Sequence, residues 1–161
     1  MFFEGNVTFK SFYSYNRKII ANILLVVVLL FGILFALLFK VVKVDGDSMY
    51  PKLSDGQLVL ICRNYDSINK NDIIVFKTDD GYAIKRVIAI PTDEIVLDQN
   101  TVYLNGVKLS PYTYDGEQKM SYTLSESQYF VIGDNYKVSY DSRDFGPIDS
   151  SQIIGKLVNF K

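Results

Sequence analysis

A chain without histidine that is to move protons near neutral pH must find its base among other side chains, and Lys85 is the best placed candidate. It lies in Tyr82-Ala83-Ile84-Lys85-Arg86-Val87-Ile88-Ala89-Ile90, whose Val/Ile content and bounding turn at Asp79-Asp80-Gly81 predict a β-strand. Side chains alternate between the two faces of a strand, so Ala83, Lys85, Val87 and Ala89 share one side and Arg86 points to the other. An ammonium among alanines and valine loses hydration. That desolvation lowers a lysine pKa towards the range in which the neutral amine accepts a proton. A hydroxyl is the nucleophile such a base could serve. Ser48, in Asp45-Gly46-Asp47-Ser48-Met49-Tyr50-Pro51-Lys52, follows a glycine-containing turn and is expected in an extended loop that presents its Oγ. On residue type alone, a serine beside aspartates reads as a turn or cap residue. A helical S-x-x-K dyad does not fit, because Lys52 is four residues on and Pro51 breaks the helix.

Composition narrows the remaining chemistry. The 161 residues carry a formal net charge of −1, which leaves no electrostatic footprint for nucleic acid. One cysteine, Cys62, excludes an internal disulfide and a thiolate metal cluster, and the missing histidine excludes the usual zinc-hydrolase ligand sets. No metal or cofactor is therefore expected. Cys62 ends the apolar run Gln57-Leu58-Val59-Leu60-Ile61-Cys62 and is expected as a small buried residue. Hydroxyls, carboxylates, amines and backbone remain.

The elements that must position these residues fall into two parts. Ile19 to Phe39 is apolar apart from Asn22; as an α-helix it spans about 31 Å, the thickness of a bilayer's hydrocarbon core. The run is too long for a cleavable signal, and Lys40-Val41-Val42-Lys43-Val44 offers no A-x-A-like site. This predicts an uncleaved single-pass anchor over residues 19–42, with an N-terminal segment 1–18 before it and a domain over 43–161 after it. Lys10, Arg17 and Lys18 precede the span and Lys40 and Lys43 follow it, so charge alone does not orient the chain. After Val41 the pattern changes to short strands with turns between them. Leu58–Ile61, Ile73–Phe76, Tyr82–Ile90, Glu94–Leu97, Val102–Leu104, Gln128–Ile132 and Ile153–Phe160 read as strands. Asn105-Gly106 marks a tight hairpin, since both central positions of such a turn need positive φ. No helical periodicity follows residue 42. The expected fold is mainly β, a compact strand-rich domain behind one transmembrane helix.

Four blocks in order carry a family resemblance: Ser48-Met49-Tyr50-Pro51, Asn71-Asp72-Ile73-Ile74-Val75-Phe76, Lys85-Arg86-Val87, and Gly133-Asp134-Asn135 continuing through Ser139-Tyr140-Asp141-Ser142-Arg143-Asp144-Phe145-Gly146. Behind an N-terminal span, they resemble a bacterial type I signal peptidase of the short kind typical of Gram-positive bacteria. The resemblance implies a membrane-anchored serine endopeptidase that removes signal peptides from exported preproteins. It also implies a cytoplasmic N-terminus and an extracytoplasmic catalytic domain on the cell membrane. Ser48 is then the nucleophile and Lys85 the general base. Ser139 matches the family serine that hydrogen-bonds the lysine, and Asp141 and Arg143 its supporting ion pair. As bare sequence, the stretch from Ser139 to Arg143 reads as a turn with a solvated charge pair; Gly133 and Gly146 permit tight turns at either end of the block.

Further roles come from the resemblance alone. The Ser48 backbone N–H would face the oxyanion, and Gly46 stands where some members have a side-chain donor. Val44, Met49, Leu53, Ala83 and Ile84 match walls of shallow pockets for small residues at the first and third positions before the cut, and each reads equally well as ordinary core. The chain also departs from the family pattern. Lys52 follows Pro51 where threonine is usual, Ala89 and Thr92 replace glycines, and Tyr136 replaces an arginine. Those departures keep a second reading in view: a signal-peptidase-like accessory protein that binds pilin or surface-protein precursors during assembly without efficient hydrolysis.

Overall fold

Thirty residues from Phe9 to Leu38 form one α-helix, α1, in the computed structural model, which describes residues 9–158. The Arg17–Leu38 part has a mean hydropathy of 3.0. It is about 33 Å long, enough to cross a hydrocarbon core. Its aliphatic side chains are exposed around the whole circumference, the pattern of a helix suited to lipid rather than to one packing face. The helix stops at Leu38, so residues 39–42, expected as the end of the span, are strand instead. Phe39–Lys43 (β1) pairs antiparallel with Leu58–Cys62 (β2), Lys43 opposite Leu58. Paired β-branched residues, Val41 and Val42, favour that extended backbone.

From Phe39 onward the chain is a separate, strand-rich unit. After β1 and β2 come β3 (Ile73–Thr78), β4 (Gly81–Ala89), β5 (Glu94–Asp98), β6 (Thr101–Leu104), β7 (Val107–Lys108), β8 (Met120–Thr123), β9 (Gln128–Ile132), β10 (Ile148–Asp149) and β11 (Ile153–Leu157). They form two antiparallel sheets, one ordered β1-β2-β11-β3-β4-β9-β10 and one ordered β7-β6-β5-β8. The seven expected strands are present, with ends shifted by a residue or two; β11 stops at Leu157, and the last two residues of its expected range lie outside the described residues. Asn105 and Gly106 join β6 to β7 with φ of 51° and 77°, as the hairpin signal requires. Not anticipated were β8, β10 and a four-residue helix, α2 (Ser142–Phe145), which Asp141 caps at its N-terminus.

β4 is central to the larger sheet and its register decides the site. It pairs with β3 over Gly81–Arg86, with Ile74 opposite Lys85, and with β9 only through Arg86, Val87 and Ala89. Between Val87 and Ala89 the register against β9 shifts by one residue. This β-bulge turns the end of the strand. Val87 consequently packs with Ile74, Phe76 and Val131, whereas Ile88 and Ala89 both enter the core between the sheets, with Ile95, Leu97 and Phe130. Ala89 is thus removed from the face it was expected to share with Lys85. Cys62 also departs from expectation. In β2 only Val59 and Ile61 turn inward; Cys62 is half-buried and its Sγ donates to Asn64 O at 3.0 Å.

Candidate active site

Strand alternation sends Lys85 towards the Ala83/Val87 side of β4 and Arg86 to the opposite side. Lys85 is 5% exposed, with Ile74 beside it on β3. Burial holds its pKa below the ordinary lysine value. Asp141 pulls it upward and Arg143 pushes it down, with a further upward pull from Asp144. Asp141 and Arg143 are bonded to each other, Nε to Oδ1 at 2.8 Å and Nη2 to Oδ2 at 2.9 Å, so their effects on Lys85 oppose. Desolvation decides the direction.

Ser48 comes to this amine from a turn rather than from the extended loop expected. Tyr50 N donates to Asp47 O and Leu53 N to Met49 O, coiling Asp47–Leu53 tightly. Met49, 1% exposed, plugs a core of Val44, Leu53, Val59 and Ile73 and so anchors the turn. Ser48 Oγ then lies 2.8 Å from Lys85 Nζ. In the ammonium form the nitrogen donates; once the amine is neutral, the hydroxyl donates to it.

The Gly133-Asp134-Asn135 segment clamps the two partners. Asn135 N donates to Ser48 O at 2.9 Å, and Asn135 Nδ2 to Asp47 O at 3.1 Å. Arg86 Nε and Nη2 each donate to Asp134 at 2.6 Å, tying the same segment to β4. Gly133 is needed for space. A Cβ there would sit 2.5 Å from Ser48 O and 2.2 Å from Ser139 Oγ. No real Cβ tolerates that approach. Residue type alone did not single out Asn135 or the Arg86–Asp134 pair; the signal was their place beside Ser48-Met49 and Lys85 in the ordered blocks.

The stretch after it is buried rather than solvated. Asp141 is fully buried and its carboxylate accepts from Gly133 N and Arg143 N as well as from the guanidinium. Arg143 also donates to Thr113 O, Tyr136 O and Ser139 O, and Ser142 Oγ accepts from Val131 N. This network fixes the backbone on which Ser139 sits. Gly146, with φ of 83°, closes α2. The hydrogen bond expected between Ser139 and Lys85 is not made: the Ser139 hydroxyl is buried with no partner among the described residues, while Lys85 bonds Ser48. An unsatisfied buried hydroxyl costs about 1–3 kcal/mol.

The residues matched to pocket walls separate into two groups. Val44, Met49 and Leu53 form one buried cluster with Ile84 packed against it. Ala83 instead packs with Phe76 and Val87 on the Lys85 side of the sheet. Gly46 N donates to Asp55 Oδ1 at 2.8 Å, and the space beside its Cα is open. Tyr136, in place of arginine, gives its carbonyl to Arg143 and packs edge-on against Tyr112 at 6.0 Å. Lys52 is exposed. Among the described residues no group of three or more Cys, Asp or Glu is arranged to hold a metal ion.

Comparison with known proteins points to one family. A family model described as signal peptidase, peptidase S26, matches residues 17–160. A signal peptidase IB of Staphylococcus aureus is 33% identical over 159 residues, covering 78% of this chain and 83% of that protein. A signal peptidase I of Bacillus caldolyticus is 37% identical over 136 residues, covering 71% and 74%. The crystal structure of a signal peptidase I from Enterococcus faecalis V583 covers 59% of this chain and 100% of its own, at 27% identity and a TM-score of 0.46.

Proposed function

Because this chain belongs to the signal peptidase family, peptidase S26, we propose that Ser48 and Lys85 are the nucleophile and general base with which it cuts signal peptides from exported preproteins. Membership makes it a type I signal peptidase, an endopeptidase acting on exported preproteins. One observation carries the assignment of the dyad: a buried lysine of lowered pKa lies 2.8 Å from a serine hydroxyl on an anchored turn.

The chemistry follows from the two atoms. Neutral Lys85 Nζ takes the proton of Ser48 Oγ as that oxygen bonds to the scissile carbonyl carbon. The tetrahedral oxyanion collapses, the C–N bond breaks, and the departing amine takes the proton back from Lys85. Water then attacks the acyl-serine, giving one proton to Lys85, which returns it to Ser48 as the C–O bond breaks; the other stays on the released carboxylic acid, which ionises into solvent. The oxyanion takes its stabilisation from the Ser48 N–H. Glycine at position 46 brings no side-chain donor to it, and a single donor of this kind is worth about 10²–10³ in rate. Ser139, its hydroxyl without a partner among the described residues, accepts a hydrogen bond from Lys85 while Ser48 is acylated and keeps the amine in place. Supporting the peptide's path is an open edge. The Gly81–Lys85 part of β4 has β3 on one side and, among the described residues, no strand on the other. A peptide added there gains backbone hydrogen bonds. Small side chains at its first and third positions before the cut face the Val44, Met49, Leu53 and Ile84 wall.

The test is cleavage of a preprotein with an Ala-x-Ala site by the detergent-solubilised full-length protein, beside Ser48→Ala and Lys85→Met. Loss of a general base costs about 10²–10⁴ in rate, so the wild type alone should release mature protein. Equal inactivity of all three with substrate still bound would instead mark an accessory protein for pilin or surface-protein precursors.

A further inference from the structure

We propose that a groove on the Lys85 side of β4 is a separate specificity pocket, which takes the second residue before the cut and selects a large apolar side chain there. This rests on the protease reading above. A peptide on the open edge of β4 alternates its side chains as β4 does. If the first and third positions face the Ile84 wall, the residue between them faces the side of Lys85 and Ala83. There the chain carries a cavity of about 400 Å³, lined by Phe76, Ala83, Tyr140, Phe145, Pro147 and Ile148. Ala83 is one strand repeat from Lys85, about 6.6 Å along the chain, and its methyl group leaves the floor open. The far wall is an aromatic ladder: Tyr140 meets Phe145 edge-on at 5.5 Å, and Phe145 meets Phe76 at 6.4 Å.

Exposure points to an occupant. Tyr140 is 71% and Phe145 38% exposed, a contiguous apolar surface beside a catalytic pair that gains by being covered. The rim is set by Lys77, Asp79 and Asp80 of the β3–β4 hairpin. Two carboxylates against one ammonium disfavour an acidic side chain. Tyr140 follows Ser139 directly, so the network that holds Ser139 also fixes the groove wall.

Peptides identical except for alanine, phenylalanine or aspartate at the second position before the cut, with alanine at the first and third, separate the cases. With full-length wild type, kcat/KM should be about tenfold higher for phenylalanine than for alanine, the scale expected for partly burying an aromatic side chain, and lowest for aspartate. Tyr140→Ala, a change at an exposed position, should bring the phenylalanine-to-alanine ratio close to one. Cleavage of all three peptides at similar rates, or a ratio unchanged in Tyr140→Ala, overturns the groove and leaves the protease reading standing. Failure to cleave any of them overturns the protease reading and this one with it.

Discussion

A lysine almost fully removed from water is unfavourable as an ammonium, and Lys85 is retained against that penalty at the point where a hydroxyl meets it. The sign of the linkage follows. Between its lowered folded pKa and the ordinary 10.5, the unfolded chain binds more protons at this site than the folded one. Stability from Lys85 therefore rises with pH across that window and is lowest below it. Gly133 makes the same argument sterically. Gly133→Ala should push the Ser139 hydroxyl and the Ser48 carbonyl apart from their present places; a misplacement of about 1 Å costs roughly 10²-fold in kcat. Steady-state kinetics on a folded variant would measure it, and an unchanged kcat would show that the clamp does not set the geometry. Lys85 was legible in the sequence because alternation is a property of the strand itself. The partnerless Ser139 hydroxyl was not, since it depends on atoms distant in sequence.

Among the elements, those with strong local signals were readable and those made by tertiary pairing were not. The β4 segment and the Asn105-Gly106 hairpin follow from residue type and turn geometry. The bulge at Val87–Ala89 left no mark, because Val87, Ile88, Ala89 and Ile90 are apolar on both faces. α2 is too short to show a period and depends on the Asp141 cap. β1 was hidden by its own valines, which continue the apolar run of α1. One departure from the family pattern has a measurable cost. Thr92, where the pattern has glycine, adopts φ of 73°, a conformation strained for a β-branched residue. Thr92→Gly should raise the unfolding free energy by about 1 kcal/mol, read as a higher denaturation midpoint at unchanged m-value; a lower midpoint would mean that unfolded-chain entropy outweighs the strain.

For the whole molecule, α1 fits a membrane anchor by length and hydropathy, but the lysines and arginine at its ends are too evenly divided to orient it. The proposed protease function predicts an orientation: a signal sequence presents its cut on the outer side of the cytoplasmic membrane, so the strand-rich unit is expected there. On that proposal, tethering would raise its local concentration against membrane-held substrates. Protease added outside intact spheroplasts should digest the C-terminal unit; protection until the membrane is opened would contradict the orientation.

The central claim is that neutral Lys85 deprotonates Ser48, and the pH dependence of kcat/KM on a single preprotein tests it most directly. The base works only after losing its proton, so activity should climb with pH to a plateau, with a midpoint below the 10.5 of an ordinary lysine. A rate flat from neutral to alkaline pH, or a midpoint at the ordinary lysine value, would contradict the account.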